Sequence, residues 1–291
     1  MKILVTGSNG QLGRALQKVL PKNNSIFATK KDLNITDKKQ VAQQIKGVRP
    51  NYVIHTAAYT DVDGCEQNKE LAYKINVLGT KNIAEVCQKT NIALIYISTD
   101  FVFVGKKKTA YLETDKPNPL SVYGKTKLEG EEVVKKLPKY FIVRTAWLFG
   151  DGHNFVKTIL NLAPKQNEIK VVSDQIGPPT YALDLAKAIY KLINELKIKN
   201  YESGIFHITN DGETSWANFA KEIVKQKKDV SRQSRGVKTK IIPISAKVWQ
   251  KIKPESAPRP KYSVLSNEKI QKLDIKMRPW QEGLSDYLRS F

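Results

Sequence analysis

The stretch that decides the fold lies at the start of the chain, where residues 2–20 read KILVTGSNGQLGRALQKVL. Its first part, Lys2–Thr6, is mostly apolar, which is typical of a buried strand. Its last part, Gln11–Leu20, repeats apolar residues at helical spacing and is followed by a proline. Between the two parts lie glycines in the spacing GxxGxxG, at Gly7, Gly10 and Gly13. The sequence therefore predicts a strand, a glycine-rich turn and a helix in direct succession.

A turn of this kind is typical of dinucleotide binding, because each glycine has a separate task. Gly7 permits a tight turn, Gly10 lets the backbone approach a pyrophosphate, and Gly13 lets the helix pack closely on the strand. The helix N-terminus presents unpaired N–H groups and a partial positive charge to the anion. A glycine-rich turn without a ligand is the alternative, but its position between strand and helix favours the binding site.

Short apolar runs alternate with amphipathic stretches along the first half of the chain. The further predicted strands are Ser25–Thr29, Tyr52–Thr56, Ala93–Ser98, Tyr140–Arg144 and Lys170–Val172. The further predicted helices are Lys38–Ile45, Leu71–Gln88, Val122–Leu137 and Ala182–Leu196. Near-continuous apolar strands between helices predict an α/β fold, with a doubly wound (Rossmann-type) parallel sheet covered by helices on both faces.

The alternation loosens from about Trp147 onward, where proline and glycine accumulate. We therefore predict a nucleotide-binding domain made of residues 1–148 with roughly 180–200. Residues 149–179 and 201–291 are predicted to form a smaller C-terminal substrate-binding domain. The helix in 180–200 is expected to pack back onto the sheet.

Composition and charge exclude several classes of protein. The 291 residues include 49 Lys and Arg against 28 Asp and Glu, which gives a formal net charge of +21. The excess is divided almost equally between the two halves of the chain, whereas a nucleic-acid binder usually concentrates it in a patch or tail. Two cysteines and three histidines are too few for a disulfide framework or a histidine-rich metal site. With no signal peptide and no long apolar run, we expect a cytoplasmic protein that binds neither membrane nor nucleic acid.

The residues after the second predicted strand bear on the choice of cofactor. An enzyme that prefers NAD usually ends this strand in an acidic residue, which binds the ribose 2′-hydroxyl. Here Lys30 and Lys31 follow the strand, and Asp32 comes only afterwards. The lysines would attract a 2′-phosphate, so we predict NADP(H), with NAD(H) as the alternative. Two solvated loop lysines without a ligand would give the same sequence.

A pair of residues with proton-transfer chemistry lies in the predicted helix Val122–Leu137. Tyr123 and Lys127 are four residues apart, which places them on one helix face. A neighbouring ammonium is expected to lower the pKa of a tyrosine and so to improve it as an acid or base at neutral pH. The fourth strand ends in Ser98 and Thr99, where a hydroxyl could hold a carbonyl oxygen or its developing charge. Both hydroxyls could instead cap local backbone, and a solvated helix face often carries a Tyr–Lys pair.

Together these elements resemble the extended short-chain dehydrogenase/reductases, and further segments narrow the resemblance to the dTDP-4-dehydrorhamnose reductase family. The resemblance covers essentially the whole chain, and the later segments are more specific than the glycine turn. Those segments are GSNGQLG (7–13), RPNYVIHTAAYTDVDGCE (49–66), YISTDFVFVG (96–105), PNPLSVYGKTKLEGE (117–131), VRTAWLFG (143–150), HNFVKT (153–158), SDQIGPPTYALDLA (173–186) and APRPKYSVLS (257–266).

The resemblance implies a role for particular residues. Thr99 matches the catalytic hydroxyl, Tyr123 the general acid and Lys127 the lysine that assists it. The implied cofactor contacts are Gly7, Gly10, Gln11, Leu12 and Gly13 in the turn, Lys30, Asn34 and Ile35 near the second strand, Ala57, Ala58, Tyr59 and Thr60 after the third strand, and Tyr123 and Lys127 themselves. The implied substrate contacts are Thr99, Asp100, Phe101 and Trp147, and Arg259 is a candidate for the substrate diphosphate because a guanidinium matches phosphate geometry. A loop arginine with only surface contacts is the alternative for Arg259.

Three positions depart from the family pattern. Asn34-Ile35 stands where the family usually has an Asp followed by an apolar residue, and Phe101 stands where it usually has Tyr. Some members dimerise around Mg²⁺ through a Glu near the start of the first helix, where this chain has Arg14-Ala15. We therefore expect no metal and a monomer.

The resemblance implies an enzyme that reduces the 4-keto group of a sugar nucleotide with NADPH. Another sugar-nucleotide epimerase or dehydratase on the same fold is the first alternative. Dehydratases typically place an acidic pair after the catalytic Thr, whereas Asp100-Phe101 follows here. The second alternative is a non-catalytic regulatory subunit on this fold, against which the intact Thr99, Tyr123 and Lys127 argue.

Overall fold

The computed structural model of the chain describes residues 1–199, 202–230 and 239–291. The strands are β1 (Ile3–Thr6), β2 (Ser25–Ala28), β3 (Tyr52–His55), β4 (Ala93–Thr99), β5 (Tyr140–Thr145), β6 (Leu148–Phe149), β7 (Glu168–Val172), β8 (Ile176–Gly177), β9 (Thr180–Tyr181), β10 (Gly204–His207), β11 (Thr214–Ser215) and β12 (Lys240–Ile244). The helices are α1 (Gln11–Val19), α2 (Lys38–Val48), α3 (Val62–Gln67), α4 (Lys69–Tyr73), α5 (Thr80–Thr90), α6 (Val122–Val134), α7 (Phe155–Leu162), α8 (Ala182–Lys199), α9 (Trp216–Val230), α10 (Ala246–Ile252), α11 (Glu268–Gln271) and α12 (Trp280–Arg289).

The largest sheet has six strands in the order β10-β5-β4-β3-β1-β2, and every neighbouring pair is parallel. The chain runs outward to β2 and then returns to place β3 on the other side of β1. The order of strands therefore reverses at β1, and in open α/β sheets ligands bind outside the carboxyl ends of the strands at such a point. The glycine turn follows β1, so it lies at this edge.

Two hydrophobic cores cover the two faces of the sheet. On one face, α1 and α8 contribute Leu16, Leu185 and Ile189 to a core with strand residues such as Val5 and Val143. On the other face, α2, α5 and α6 pack against the same strands through a second set of apolar side chains. The predicted doubly wound α/β sheet is confirmed, and the predicted helix Ala182–Leu196 does pack back onto it.

One predicted helix is interrupted. We expected a single helix over Leu71–Gln88, but α4 and α5 are separated by a π-helical turn, Lys74–Gly79. Gly79 in this turn faces the Ile35 side chain, which lies 2.7 Å from the place where a Cβ would stand. The apolar spacing of the sequence is compatible with α and π turns alike, so it could not reveal the break. Such turns occur often at functional sites.

The sixth strand of the large sheet, β10, was not predicted from the sequence. The predicted boundary assigns residues 201–291 to the smaller part, yet β10 pairs with β5 and forms the edge of the large sheet. The stretch GIFH is too short to show a strand period, and its partner is distant in sequence. The predicted strand Lys170–Val172 exists within β7, but it pairs with β12 outside the large sheet. Residues 200, 201 and 231–238, which the predicted domains include, lie outside the described residues.

The remaining elements form a smaller body beside the carboxyl edge of the sheet. Its two-stranded pairs are β7 with β12, β8 with β11 and β6 with β9. Its core is aromatic and is built from α7, α9 and α12, with Phe149, Phe219 and Tyr287 among its buried members. In the described ranges, no helix is both long enough and apolar enough to cross a lipid bilayer.

Candidate active site

The glycine turn has the geometry that the sequence predicted. Gly7 adopts φ +66°, and a Cβ on it would lie 2.7 Å from the backbone of Ala57. A Cβ on Gly13 would lie 2.5 Å from the Gly7 carbonyl oxygen, so the helix approaches the strand closely. Within the described part of the chain, no side chain caps the N-terminus of α1, which begins after Gly10. Its first N–H groups are therefore free to bind an anion.

A buried amide oxygen in the first turn of α1 also lacks a partner. Gln11 Oε1 is buried and accepts no hydrogen bond from any residue that the structure describes. A buried polar atom of this kind is unfavourable unless something binds it. Gln11 and Leu12 stand in the first turn of α1, as expected for pyrophosphate contacts, although the Leu12 side chain is buried in the core.

The loop after β3 is held by a residue that sequence reasoning missed. Asn76 lies in the π turn and is fully buried. Its Oδ1 accepts from Tyr59 N at 2.8 Å, and its Nδ2 donates to Tyr59 O at 3.1 Å. The same Nδ2 donates to Thr126 Oγ1 of α6 at 3.1 Å. Asn76 therefore ties the loop of Ala57, Ala58, Tyr59 and Thr60 to the helix that carries Tyr123 and Lys127.

The end of β2 differs from the expectation in one respect. Asn9, Thr29, Lys30 and Lys31 line an open pocket, and both lysines are exposed. A carboxylate is nevertheless present at the strand end, because Asp32 folds back and accepts from Thr29 N at 2.9 Å and Thr29 Oγ1 at 2.7 Å. These two hydrogen bonds lower the pKa of Asp32. The Asp32 carboxylate, which follows the two lysines in sequence, therefore also lies at the end of this strand.

Two expected cofactor contacts have other partners. The Asn34 side chain accepts from Thr36 N at 3.2 Å and Thr36 Oγ1 at 2.9 Å. The Ile35 side chain is buried in the core beneath the sheet. The cofactor contacts at Asn34 and Ile35 stay predictions.

Ser121 caps the N-terminus of helix α6, because its hydroxyl accepts from Gly124 N. The helix presents Tyr123 and Lys127 toward β4. Both side chains are buried, with 9% and 3% of their surfaces exposed. Lys127 Nζ donates to the Ile97 carbonyl at 2.6 Å and lies 4.0 Å from the centre of the Tyr96 ring. Burial lowers the pKa of Lys127 to about 7, and the Glu131 carboxylate opposes the shift.

Burial raises the pKa of the Tyr123 phenol above its ordinary value, while a hydrogen bond between the Thr99 and Tyr123 side chains opposes that rise. The net shift of the Tyr123 pKa is therefore upward, opposite to the expected one, because burial dominates it. The phenol is protonated at neutral pH, the form that a proton donor needs, although a raised pKa makes the proton harder to transfer.

Thr99 is the last residue of β4, and its hydroxyl caps local backbone, which is one of the two roles that its sequence position allowed. Its Oγ1 accepts from Phe101 N at 3.2 Å and so caps the turn Asp100–Val102. The same oxygen donates to Asp100 Oδ1 at 3.0 Å and interacts with Tyr123. Asp100 is 1% exposed, and its Oδ2 has no hydrogen-bond partner among the described residues. Burial raises the pKa of Asp100 to about 6, while the Ser263 and Thr99 side chains act in the opposite direction.

A buried ion pair between Arg144 and Glu131 lies next to these groups and was not predicted from the sequence. Arg144 of β5 donates from Nε to Glu131 Oε1 at 2.9 Å and from Nη2 to Glu131 Oε2 at 2.7 Å. Ser98 Oγ donates to Glu131 Oε1 at 2.5 Å. Tyr123, Lys127 and Glu131 are spaced by four residues, so they share one face of α6. That spacing is the only sequence signal that could have found Glu131.

The expected substrate contacts lie on both sides of this centre. Phe101 packs edge-on against the Tyr123 ring, with centroids 5.6 Å apart. Trp147 adopts φ +45°, a left-handed conformation that is strained for a bulky residue. Its ring is stacked on Trp216 with centroids 3.6 Å apart.

Arg259 has a defined partner. Its Nη2 donates to Asp63 Oδ1 at 2.8 Å, and the same carboxylate oxygen accepts from Ala257 N at 2.9 Å. The guanidinium also donates from Nη1 to Ala257 O at 3.0 Å. Asp63, which sequence reasoning missed, therefore ties the segment that carries Arg259 to α3, directly after the loop that follows β3.

The uncapped α1 N-terminus, the unpaired Gln11 oxygen and the glycine cradle fit a dinucleotide. Beyond them, Thr99, Tyr123 and Lys127 meet at the carboxyl end of β4. The fold and site define an extended short-chain dehydrogenase/reductase. The model of the family described as RmlD substrate binding domain matches residues 1–291, and the chain belongs to this family.

Individual relatives agree with the family match. The chain is 39% identical over 292 residues to spore coat polysaccharide biosynthesis protein SpsK of Bacillus subtilis, covering 99% of this chain and 97% of that protein. It is similar to the solved dTDP-4-dehydrorhamnose reductase of Clostridium acetobutylicum at 46% identity and a TM-score of 0.88, covering 99% and 98% of the two chains. The dTDP-4-dehydrorhamnose reductase of Bacillus anthracis, solved in complex with NADP, gives 39% identity and a TM-score of 0.89 with both chains fully covered.

We expect the burial of Lys127 to leave a pH-dependent mark on stability. Its pKa is about 7 in the folded protein and roughly 10.4 in an unfolded chain. Between these values the unfolded state binds more protons, so the free energy of unfolding rises with pH. In urea unfolding from pH 7 to pH 10, wild type is therefore expected to gain stability relative to Lys127→Met.

The control is Lys125→Met, which changes an exposed lysine on the same helix. Its stability is expected to follow the wild-type pH curve. A difference between wild type and Lys127→Met that stays constant or shrinks toward pH 10 would contradict the buried placement of Lys127.

Proposed function

We propose that the protein uses NADPH to reduce the 4-keto group of dTDP-4-dehydrorhamnose (dTDP-4-dehydro-6-deoxy-L-mannose), giving dTDP-L-rhamnose. The observation that carries the proposal is that Tyr123 and Lys127 of α6 are buried beside the end of β4, where Thr99 is the last residue and Lys127 Nζ donates to the Ile97 carbonyl at 2.6 Å. This group lies on the edge of the sheet that holds the dinucleotide turn. The relatives named as this reductase, one of them solved with NADP, support the choice of substrate and cofactor.

Each residue of the site has a separate role in the reduction. When bound, NADPH supplies the hydride for the keto carbon. Tyr123 gives its phenolic proton to the carbonyl oxygen as negative charge develops there. The Thr99 hydroxyl exchanges its hydrogen bond with Asp100 Oδ1 for one that it donates to the same carbonyl oxygen. We assign Lys127, one turn further along α6, the positive charge that stabilises the phenolate left by proton transfer.

The cofactor and substrate lie on different parts of the protein in this proposal. The cofactor contacts are the turn after β1, the end of β2 and the loop after β3. The smaller body made of residues 149–179 and most of 201–291 holds the sugar nucleotide together with Asp100, Phe101 and Trp147. Arg259 binds the diphosphate, for which it exchanges its hydrogen bond with the Asp63 carboxylate.

Tyr123→Phe removes the proton donor and leaves the ring in place. We expect its turnover to fall roughly 10²–10⁴-fold, with unchanged affinity for NADP⁺. The control is Tyr52→Phe, at the amino end of β3 and so at the opposite edge of the sheet. Wild-type turnover in Tyr123→Phe would contradict the assignment of the acid.

The substrate is tested by following NADPH absorbance with a panel of 4-keto-6-deoxy sugar nucleotides. We expect oxidation of one NADPH for each dTDP-4-dehydrorhamnose reduced. Conversion of a sugar nucleotide without net loss of NADPH would instead identify an epimerase or dehydratase.

We expect NADPH to be used better than NADH by a modest margin. An exposed ion pair contributes about 0.2–1 kcal/mol, and a tenfold preference needs roughly 1.4 kcal/mol. Lys30 and Lys31 together therefore support a preference of about tenfold, which shrinks as salt screens the charges. The measurement is kcat/KM for both cofactors at low and high ionic strength.

Three variants separate the charges at this site. Lys30→Ala and Lys31→Ala are expected to reduce the preference for NADPH. Asp32→Asn is expected to increase it, because a carboxylate repels the 2′-phosphate. A preference for NADH in wild type, or a preference that both lysine variants leave unchanged, would refute this account of the β2 end.

We also propose that the protein is a cytoplasmic monomer without a metal or nucleic-acid partner. Arg14-Ala15 supports this, because metal-linked dimers of the resembled family carry a Glu there, and Arg14 Nε instead donates to Asn9 O at 2.9 Å. Light scattering is expected to give the mass of one chain, and EDTA is expected to leave turnover unchanged. A dimer that dissociates with chelator would be decisive against it.

A further inference from the structure

A second hydroxyl lies beside Thr99 and has no assigned task. Thr145 is the last residue of β5, and only 7% of its surface is exposed. Its Oγ1 has no hydrogen-bond partner among the residues that the structure describes. An unpaired buried hydroxyl is unfavourable, and native proteins satisfy most such groups. A ligand that enters the crevice would satisfy this one.

The strand register fixes the side of the sheet to which Thr145 points. In the parallel pair β4–β5, Ser98 stands opposite Arg144 and Thr99 stands opposite Thr145. Ser98 and Arg144 both reach Glu131, so they lie on the face covered by α6. Since side chains alternate along a strand, Thr99 and Thr145 share the opposite face.

That face is the one covered by α1 and α8. Val143 lies two residues before Thr145, and Ile95 lies four residues before Thr99, so both share the face of those threonines. Both pack in the core with Leu12 and Leu16 of α1. The free N-terminus of α1 is the anion-binding end described above. A dinucleotide can bind this end through its pyrophosphate and reach Thr99 with its nicotinamide ring. It then extends along the side of the sheet edge on which Thr145 lies.

We propose that the Thr145 hydroxyl binds the carboxamide of the nicotinamide ring and so orients the ring toward the Thr99–Tyr123 pair. This inference deepens the proposed function and rests on it. A carboxamide has both a donor and an acceptor, and a threonine hydroxyl can serve either. Neighbouring strands are separated by about 4.8 Å, so Thr145 holds the cofactor ring one strand away from the group that holds the substrate carbonyl.

The test compares Thr145→Val, which keeps the shape and removes the hydroxyl, with Thr145→Ser, which keeps the hydroxyl. Calorimetry measures the affinity of each variant for NADP⁺, for 2′,5′-ADP, which lacks the nicotinamide half, and for dTDP-L-rhamnose. We expect Thr145→Val to weaken NADP⁺ binding about two- to tenfold, the range of one net hydrogen bond. Binding of 2′,5′-ADP and dTDP-L-rhamnose is expected to be unchanged, and Thr145→Ser is expected to bind NADP⁺ as wild type does.

Thermal unfolding of the ligand-free variants separates binding from structure. Because Thr145→Val removes an unpaired polar group, its Tm is expected to equal or exceed that of wild type. The matched control is Thr158→Val, whose hydroxyl donates to the Asn154 carbonyl at 3.1 Å. It is expected to lower the Tm and to leave NADP⁺ affinity unchanged.

Each other outcome overturns the proposal. If Thr145→Val binds NADP⁺ as tightly as wild type, the hydroxyl does not contact the cofactor. If the Tm of that variant is lowered, the hydroxyl makes a structural hydrogen bond instead. Loss of dTDP-L-rhamnose affinity assigns the hydroxyl to the sugar. These measurements need no turnover, so a wild-type protein that binds NADP⁺ but reduces no sugar nucleotide would refute the proposed function alone.

Discussion

The ion pair between Glu131 and Arg144 is the interaction on which the site depends. Both side chains are removed from water, with 0% and 1% of their surfaces exposed. A buried charge is unfavourable without its partner, so each residue requires the other in one geometry. The pair also engages Ser98, and thereby joins α6, β4 and β5 at the point where Tyr123, Thr99 and Thr145 project. The positions of the acid and of both hydroxyls follow from this contact.

The same burial sets the chemistry. Burial raises the pKa of Tyr123 and lowers the pKa of Lys127 to about 7. Tyr123 is therefore protonated at neutral pH, as a proton donor at the carbonyl oxygen must be, and the positive charge beside it is needed only once the proton has left. Asn76 then couples this enclosure to the loop after β3, since one side chain bonds to that loop and to α6.

Much of the fold could be predicted because its signals are local. The run from Lys2 to Leu20 carries a strand, a turn and a helix within one window, and the glycine spacing has few structural meanings. The contacts of Asn76, Asp63 and Glu131 could not be predicted, because the partners of these residues are distant in sequence. Glu131 finds Ser98 and Arg144 only after α6 has packed on the sheet. The short strand β10 was missed for the same reason, as its partner β5 defines it.

Replacing both charges of the pair tests most directly whether it positions the site. In Glu131→Met/Arg144→Met no unpaired charge remains buried, and such replacements are often tolerated by folded proteins. The account predicts a cooperatively folded variant that binds NADP⁺ but turns over roughly 10²-fold more slowly, since small displacements of reacting groups have effects of this size. A folded double variant with wild-type turnover would contradict it, because Thr99 and Tyr123 would then be aligned without the pair.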